Sequence, residues 1–282
     1  MKSERCAIVA IHGIGCGTES ERKGFSHNLA KLVYSDQPEK IEKSWHEAIW
    51  EGENENFDQV MRGISARLLQ KDIFPPVLSM KGWRSRLMCA VAKLLCVAAR
   101  GLYGKAVVDY LMVVLDALFD FVRYLDSDNG AKMRARVQAD LEKWCDTHQE
   151  GIVVVAHSLG SLIAHDVLHK MAREGSSDRI KALVTIGSPI QWAFDLRKVD
   201  EKQEKDWISL GKIPWYNFYY REDPVAIDGE IDSNVFVDVK NTRLELPEKF
   251  VKLQTSWKAH CAYWEDESFA DRVRAIIESN QL

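Results

Sequence analysis

Several features that would point to other classes of protein are missing from this chain of 282 residues. No apolar run of membrane-spanning length is free of charged residues, so we expect no transmembrane helix. Lysine and arginine do not outnumber aspartate and glutamate, and the net charge of −4 argues against a nucleic-acid partner. The apolar residues 6–11 are too few for the core of a secretory signal, and no cleavage pattern follows them. We therefore expect a cytoplasmic protein.

Cysteine is scarce and scattered. The six cysteines have neither the spacing of a zinc site nor that of a disulfide framework, so we expect free thiols in a reducing compartment. The length of the chain is enough to bury one sizeable core and to carry an insertion.

Apolar runs and amphipathic stretches alternate along most of the chain. This alternation predicts an α/β fold with a mostly parallel sheet and helices on both faces. The predicted strands are residues 6–11, 41–50, 152–156, 182–186, 214–220 and 235–239. The predicted helices are residues 19–33, 132–148, 158–173 and 269–277.

Residues 51–130 interrupt the alternation and predict a helical insertion in a core made of residues 1–50 and 131–282. Two apolar helical segments flank residues 101–104, and the second carries an apolar stripe at alternating spacings of three and four. A helical hairpin that caps the core is the favoured interpretation. The sharper hypothesis is a lid over a hydrophobic substrate, whereas contact with a membrane surface is less favoured and a dimer interface stays open.

A candidate nucleophile lies in residues 152–160. The β-branched run 152–155 predicts a buried strand, Ala-His-Ser-Leu-Gly follows it, and a helical stretch begins directly after the serine. This pattern predicts a nucleophile elbow, in which a sharp turn lifts the Ser158 hydroxyl clear of the sheet. Ala156 and Gly160 are the small residues that such a turn requires. The alternative is a serine that only caps a helix.

A glycine-rich loop, residues 12–17, follows the first predicted strand. Glycines let backbone N–H groups approach a substrate carbonyl, so we expect the N–H of Ile14 and the N–H of Leu159 to form an oxyanion hole. The alternative of a phosphate-binding loop is disfavoured, because the spacing does not fit the dinucleotide pattern and no Gly-Lys-Ser/Thr follows.

Candidate acid and base residues lie downstream of Ser158. Asp223 comes just after a predicted strand, where the loops of α/β sheets build active sites, and Glu222, Asp195 and Asp228 are weaker alternatives. In catalytic triads built on a nucleophile elbow, the serine comes first in the chain, the acid second and the histidine last. His260 is the only histidine beyond Asp223, so it is the only candidate base that fits this order.

Four other histidines have structural interpretations. We expect His12 to brace the glycine-rich loop and His157 to point away from Ser158 across the turn. His165 and His169 are four residues apart, which is a spacing of metal ligands, but without a third ligand we interpret them as part of the helix surface or packing.

Together these motifs resemble the α/β-hydrolase superfamily, and the Ala-His-Ser elbow is similar to that of small bacterial lipases and esterases. The resemblance covers residues 1–50 and 131–282. It implies a mostly parallel sheet, a catalytic triad of Ser158, His260 and Asp223, and hydrolysis of carboxylic esters. The fold alone does not fix the substrate.

We therefore expect a serine hydrolase that cleaves an ester with an apolar acyl group and needs neither a metal nor an organic cofactor. Its partner would be a small-molecule or lipid ester. A phospholipase and a thioesterase are the alternatives within the enzyme class. A hydrolase-like module that binds a membrane or a protein partner through the insertion is the alternative from another class. The oligomeric state is open.

Overall fold

The computed structural model describes residues 6–13, 24–50, 124, 127–197, 209–223, 225–226, 229–236, 239–251 and 256–280. Residues 1–50 and 124–282 belong to one compact unit, and the fold below is that of this unit. The predicted insertion, residues 51–130, lies outside the described residues except for Tyr124 and residues 127–130.

A single sheet of six parallel strands forms the centre of the fold. In chain order its strands are β1 (Ala7–Ile11), β2 (Trp45–Ala48), β3 (Ile152–His157), β4 (Ile180–Ile186), β5 (Trp215–Tyr220) and β6 (Val239–Leu244). In space the order is β2-β1-β3-β4-β5-β6. All residues of β1 and β3 are buried, because helices cover both faces of a parallel sheet and its strands are apolar on both sides. The predicted α/β fold is confirmed.

Helices cover the two faces of the sheet. They are α1 (His27–Val33), α2 (Ile41–Ser44), α3 (Ser127–Thr147), α4 (Leu159–Glu174), α5 (Ile190–Arg197), α6 (Glu248–Val251), α7 (Ser256–Cys261) and α8 (Glu267–Ser279). On one face α1 and α8 pack on alternate strand residues such as Ile8 and Val153. On the other face α4 lies against β1, β3 and β4 and contacts α3. None of the helices in the described ranges is both long and apolar enough to cross a bilayer.

Two predicted elements begin and end elsewhere. Within the predicted helix 19–33, residues 24–26 form a turn, and the helix α1 begins at His27. The carboxylate of Glu47 accepts hydrogen bonds from the N–H groups of Gly24 and Ser26, which holds these residues to β2. The predicted strand 41–50 is shorter, because β1 offers partners only to Trp45–Ala48.

The predicted strand 235–239 is displaced, because Val235 and Phe236 lie outside the sheet and only Val239 of the described residues belongs to a strand. Residues 233–235 form a turn in which the N–H groups of Val235 and Phe236 both bond to the carbonyl of Asp232. Phe236 is buried against Phe194 and Trp215. This residue is apolar because it packs in the core from a loop, and not because it lies in a strand. The sixth strand begins only at residue 239.

Candidate active site

The candidate site lies at the carboxyl ends of four neighbouring strands. Gly13 follows β1, Ser158 follows β3, Gly187 follows β4 and Asp223 follows β5. The chain runs outward from β1 to β2 and then returns to place β3 on the other side of β1. Open α/β sheets bind ligands at such a reversal of strand order, beyond the carboxyl ends of the strands.

Ser158 occupies a strained turn between β3 and α4. Its φ of 54° and ψ of −130° make it the only residue other than glycine with positive φ in the described ranges. Such a conformation costs on the order of 1–3 kcal/mol and persists only where its surroundings hold it. Here the N–H of Ser158 donates to the carbonyl of Ile186 (3.0 Å), and its carbonyl accepts from the N–H (2.9 Å) and the hydroxyl (2.5 Å) of Ser161. The turn has the strand–turn–helix form that the sequence predicts.

Two glycines allow the surrounding chain to approach this turn. A Cβ on Gly160 would lie 2.2 Å from the carbonyl oxygen of His12, so α4 can lie against the end of β1 only with glycine there. A Cβ on Gly13 would lie 2.5 Å from the Cβ of Ser158. The end of β1 and the Ser158 turn are therefore in direct contact.

His260 and Asp223 form a buried pair beside the turn. Nδ1 of His260 lies 2.9 Å from Oδ1 and 3.0 Å from Oδ2 of Asp223, and the two residues are 1% and 4% exposed. Gly187, directly after β4, leaves room for the pair, because a Cβ there would lie only 2.7 Å from Oδ2 of Asp223. Gly187 directly follows Ile186, whose carbonyl holds the N–H of Ser158. The structure thus places all three predicted triad residues at one edge of the sheet.

The surroundings of Asp223 favour its charged form. Burial raises the pKa of the carboxyl, but His260, the Tyr263 hydroxyl and the Val225 N–H together outweigh burial, so the pKa lies below its usual value. Tyr263 donates to Oδ2 (2.8 Å) and Val225 donates to Oδ1 (2.9 Å). A negative charge is therefore held against the imidazole of His260.

His157 contacts the candidate base, which the sequence did not predict. Its ring centroid lies 4.4 Å from that of His260, and its Nε2–H donates to the backbone carbonyl of His260 (2.7 Å). Burial, with a smaller effect of the nearby His260, lowers the pKa of His157 to about 3, although the hydrogen bond to the His260 carbonyl opposes this. A neutral His157 therefore fixes the backbone of His260 from the end of β3.

Because burial keeps His157 neutral in the folded protein, we expect the folded protein to lose stability in acid. With a pKa of 6.5 when unfolded and about 3 when folded, His157 takes up its proton more readily in the unfolded chain between these values. The free energy of unfolding should therefore fall as the pH drops below 6.5, by up to about 1.4 kcal/mol per pH unit for this group. Urea unfolding between pH 7 and pH 4 measures the slope.

His157→Gln keeps an amide donor for the His260 carbonyl and carries no titrating group, so its slope should be shallower than that of the unaltered chain. His27→Gln, at an exposed position, is the matched control and should retain the full slope. Equal slopes for all three proteins would contradict the prediction. His46 contributes to the same slope in each of them, because burial, with smaller effects of His148 and Lys143, lowers its pKa to about 4.

The predicted oxyanion donors differ in how far the structure describes them. Ile14 lies outside the described residues. Leu159 is the first residue of α4, where backbone N–H groups have no partner within the helix. Of the glycine-rich loop the structure describes His12 and Gly13 only: Nδ1 of His12 lies 2.6 Å from the carbonyl oxygen of Gly13, and the His12 ring stacks on Trp50 with centroids 4.9 Å apart.

Of the three weaker acid candidates, the structure describes the side chain of Glu222 only. Glu222 is exposed. Nothing is described of Asp228 or of the side chain of Asp195.

His165 and His169 do not belong to a described metal centre. His165 packs on Trp215 and Phe236, and Nδ1 of His169 lies 2.9 Å from the carbonyl oxygen of Ser209. Within the described ranges no three His, Cys, Asp or Glu side chains are grouped to hold a metal ion.

The strained turn at Ser158 and the His260–Asp223 pair are the observations from which a function can be proposed. Comparison with known proteins adds no assignment to them: no family model matches the chain, and no curated protein matches it in sequence.

Proposed function

We propose that this chain is a serine hydrolase of the α/β-hydrolase superfamily that cleaves carboxylic esters with an apolar acyl group. The observation that carries the proposal is the strained Ser158 turn held beside a buried His260–Asp223 pair. A nucleophile, a base and an acid that orients the base, brought together from three distant parts of the chain, are what acyl transfer by serine requires.

In the proposed reaction His260 acts as general base through Nε2, because Nδ1 is held by Asp223. Nε2 accepts the hydroxyl proton of Ser158 as Oγ attacks the ester carbonyl, and a tetrahedral intermediate forms. The carboxylate of Asp223 keeps the proton on Nδ1 and stabilises the imidazolium that results.

The negative oxygen of the intermediate needs donors in place before the reaction starts. The N–H of Leu159, at the N-terminus of the 16-residue helix α4, supplies one donor with a favourable helix dipole. The N–H of Ile14 supplies the second. The intermediate then loses the alcohol, which takes the proton from His260, and water attacks the acyl-enzyme by the same steps to release the acid.

The apolar acyl group is proposed from the sequence of the insertion. Its second predicted helix carries the apolar stripe Val108, Leu111, Leu115, Leu118, Val122 and Leu125. Such a stripe suits contact with an apolar substrate chain.

Fluorophosphonate labelling tests the proposal without knowledge of the natural substrate. The reagent phosphonylates an activated serine: an Oγ–P bond forms and the P–F bond breaks with loss of fluoride, so we expect one adduct, on Ser158. Intact mass and peptide mapping locate it. His260→Ala should lose the labelling, because an unassisted serine hydroxyl is a weak nucleophile.

Ser176→Ala is the matched control, since Ser176 is an exposed serine outside the site, and it should be labelled as the unaltered chain is. Labelling is repeated with detergent micelles, which open apolar lids. A folded protein that takes up no label with or without micelles would overturn the proposal.

A further inference from the structure

The buried hydroxyl of Tyr263 links the candidate acid to the strand that precedes it. It donates to Oδ2 of Asp223 (2.8 Å) and accepts from the backbone N–H of Tyr220 (3.0 Å). Tyr220 ends β5, and its carbonyl accepts from the N–H of Asp223 (3.2 Å). One hydroxyl therefore holds both ends of the turn that presents the carboxylate.

Tyr263 is itself held in place. Its ring stacks on Tyr220 with centroids 4.3 Å apart and meets the edge of Phe269 at 6.4 Å. Tyr263 is fully buried in the turn that follows α7, three residues after His260. Burial and the neighbouring Asp223 raise the pKa of its hydroxyl well above the usual value, so the hydroxyl stays protonated and remains a donor.

The two carboxylate oxygens of Asp223 are held by different donors. Oδ1 accepts from the Val225 N–H, Oδ2 accepts from Tyr263, and Nδ1 of His260 lies almost equally far from both oxygens. A donor on Oδ2 withdraws negative charge from one of the two oxygens that face the imidazole. Tyr263 therefore affects how strongly the carboxylate attracts the proton of His260.

We propose that Tyr263 is a positioning residue of the catalytic centre, which orients Asp223 and sets the basicity of the His260–Asp223 pair. This inference rests on the proposed hydrolase function. The charged or titratable groups that face the carboxylate are His260 and Tyr263 from the segment 256–265, His157 from β3, and Tyr220 from β5.

Tyr263→Phe removes the donor and keeps the ring. The carboxylate then attracts the imidazole proton more strongly, so His260 becomes an available base only at higher pH. We expect the acid limb of the pH profile of kcat/KM to move up by about 0.5 to 1 pH unit. The rate of fluorophosphonate labelling of Ser158 should show the same shift, and this second readout requires no substrate.

Tyr219→Phe is the matched control. It removes the hydroxyl of the neighbouring tyrosine of β5, but that hydroxyl bonds to Glu230 and not to Asp223. Its acid limb should stay where it is in the unaltered chain. An unchanged limb in Tyr263→Phe, or equal shifts in both variants, would overturn the inference.

A second variant covers the case in which Tyr263→Phe does not fold. Incorporation of 3-fluorotyrosine at position 263 keeps ring and hydroxyl but makes the hydroxyl a stronger donor, so the acid limb should move down. No shift, or an upward shift, would overturn the inference. If the unaltered chain itself takes up no label, the proposed function fails and the inference fails with it. A labelled chain with an unmoved limb contradicts the inference alone.

Discussion

Ser158→Ala is expected to hydrolyse p-nitrophenyl octanoate about 10⁶-fold more slowly than the unaltered chain, as the loss of a triad nucleophile does elsewhere. Alanine keeps the Cβ, so the strained φ of 54° costs the same and the fold should persist. What disappears is the oxygen that forms the acyl-enzyme. Steady-state kcat and the absence of a burst in stopped-flow measurements would show this.

Ser176→Ala serves as the control for this exchange as well and should keep kcat within about twofold, because surface substitutions away from a site have small effects. Unfolding curves of both variants establish that they are folded. A Ser158→Ala variant that retains more than a tenth of the original turnover would remove Ser158 from the mechanism.

Asp223→Asn is expected to lower kcat by about 10⁴-fold, the size of effect that this exchange has in a serine protease triad. The amide has one acceptor oxygen for the two donors on the carboxylate, the Val225 N–H and the Tyr263 hydroxyl, so its nitrogen replaces one of the two oxygens. Both oxygen positions lie within 3.0 Å of Nδ1 of His260, and the amide N–H donates to Nδ1 from there. This places the imidazole proton on Nε2, which can no longer accept a proton from Ser158.

Glu222→Gln is the matched control, because it makes the same chemical change one residue earlier at an exposed position. Its kcat on p-nitrophenyl octanoate should remain close to that of the unaltered chain. A larger loss in Glu222→Gln than in Asp223→Asn would assign the acid to Glu222, which the sequence offers as a weaker candidate.

The sequence predicts those parts of the site whose conformation depends on residues close to them in the chain. The turn at Ser158 follows from a β-branched run that ends in small residues, and the structure shows that Gly160 is small because the carbonyl of His12 lies against it. The sheet was predictable because buried parallel strands are apolar on both sides. Asp223 could be selected from its place after a strand.

The parts that the sequence does not predict depend on long-range contacts. Tyr263 meets Asp223 across 40 positions, and His157 meets His260 across 103, so no local pattern marks either pair. Long-range contacts also explain why the strand predicted at 235–239 is displaced: the apolar Phe236 contacts the core from a turn, and its burial depends on Phe194 and Trp215.

The pairing of β1 with β3 also has a consequence for how freely the chain length can vary. Ala7 pairs with Ile152, so about half of the chain lies between two adjacent strands. The entropy lost when a loop is closed grows only with the logarithm of its length, and doubling a flexible loop costs about 0.6 kcal/mol more. The number of residues between Trp50 and the buried Tyr124 can therefore change at little cost in loop-closure entropy. The pairing of β1 with β3, which sets the Ser158 turn against the end of β1, does not require a fixed length of chain between them.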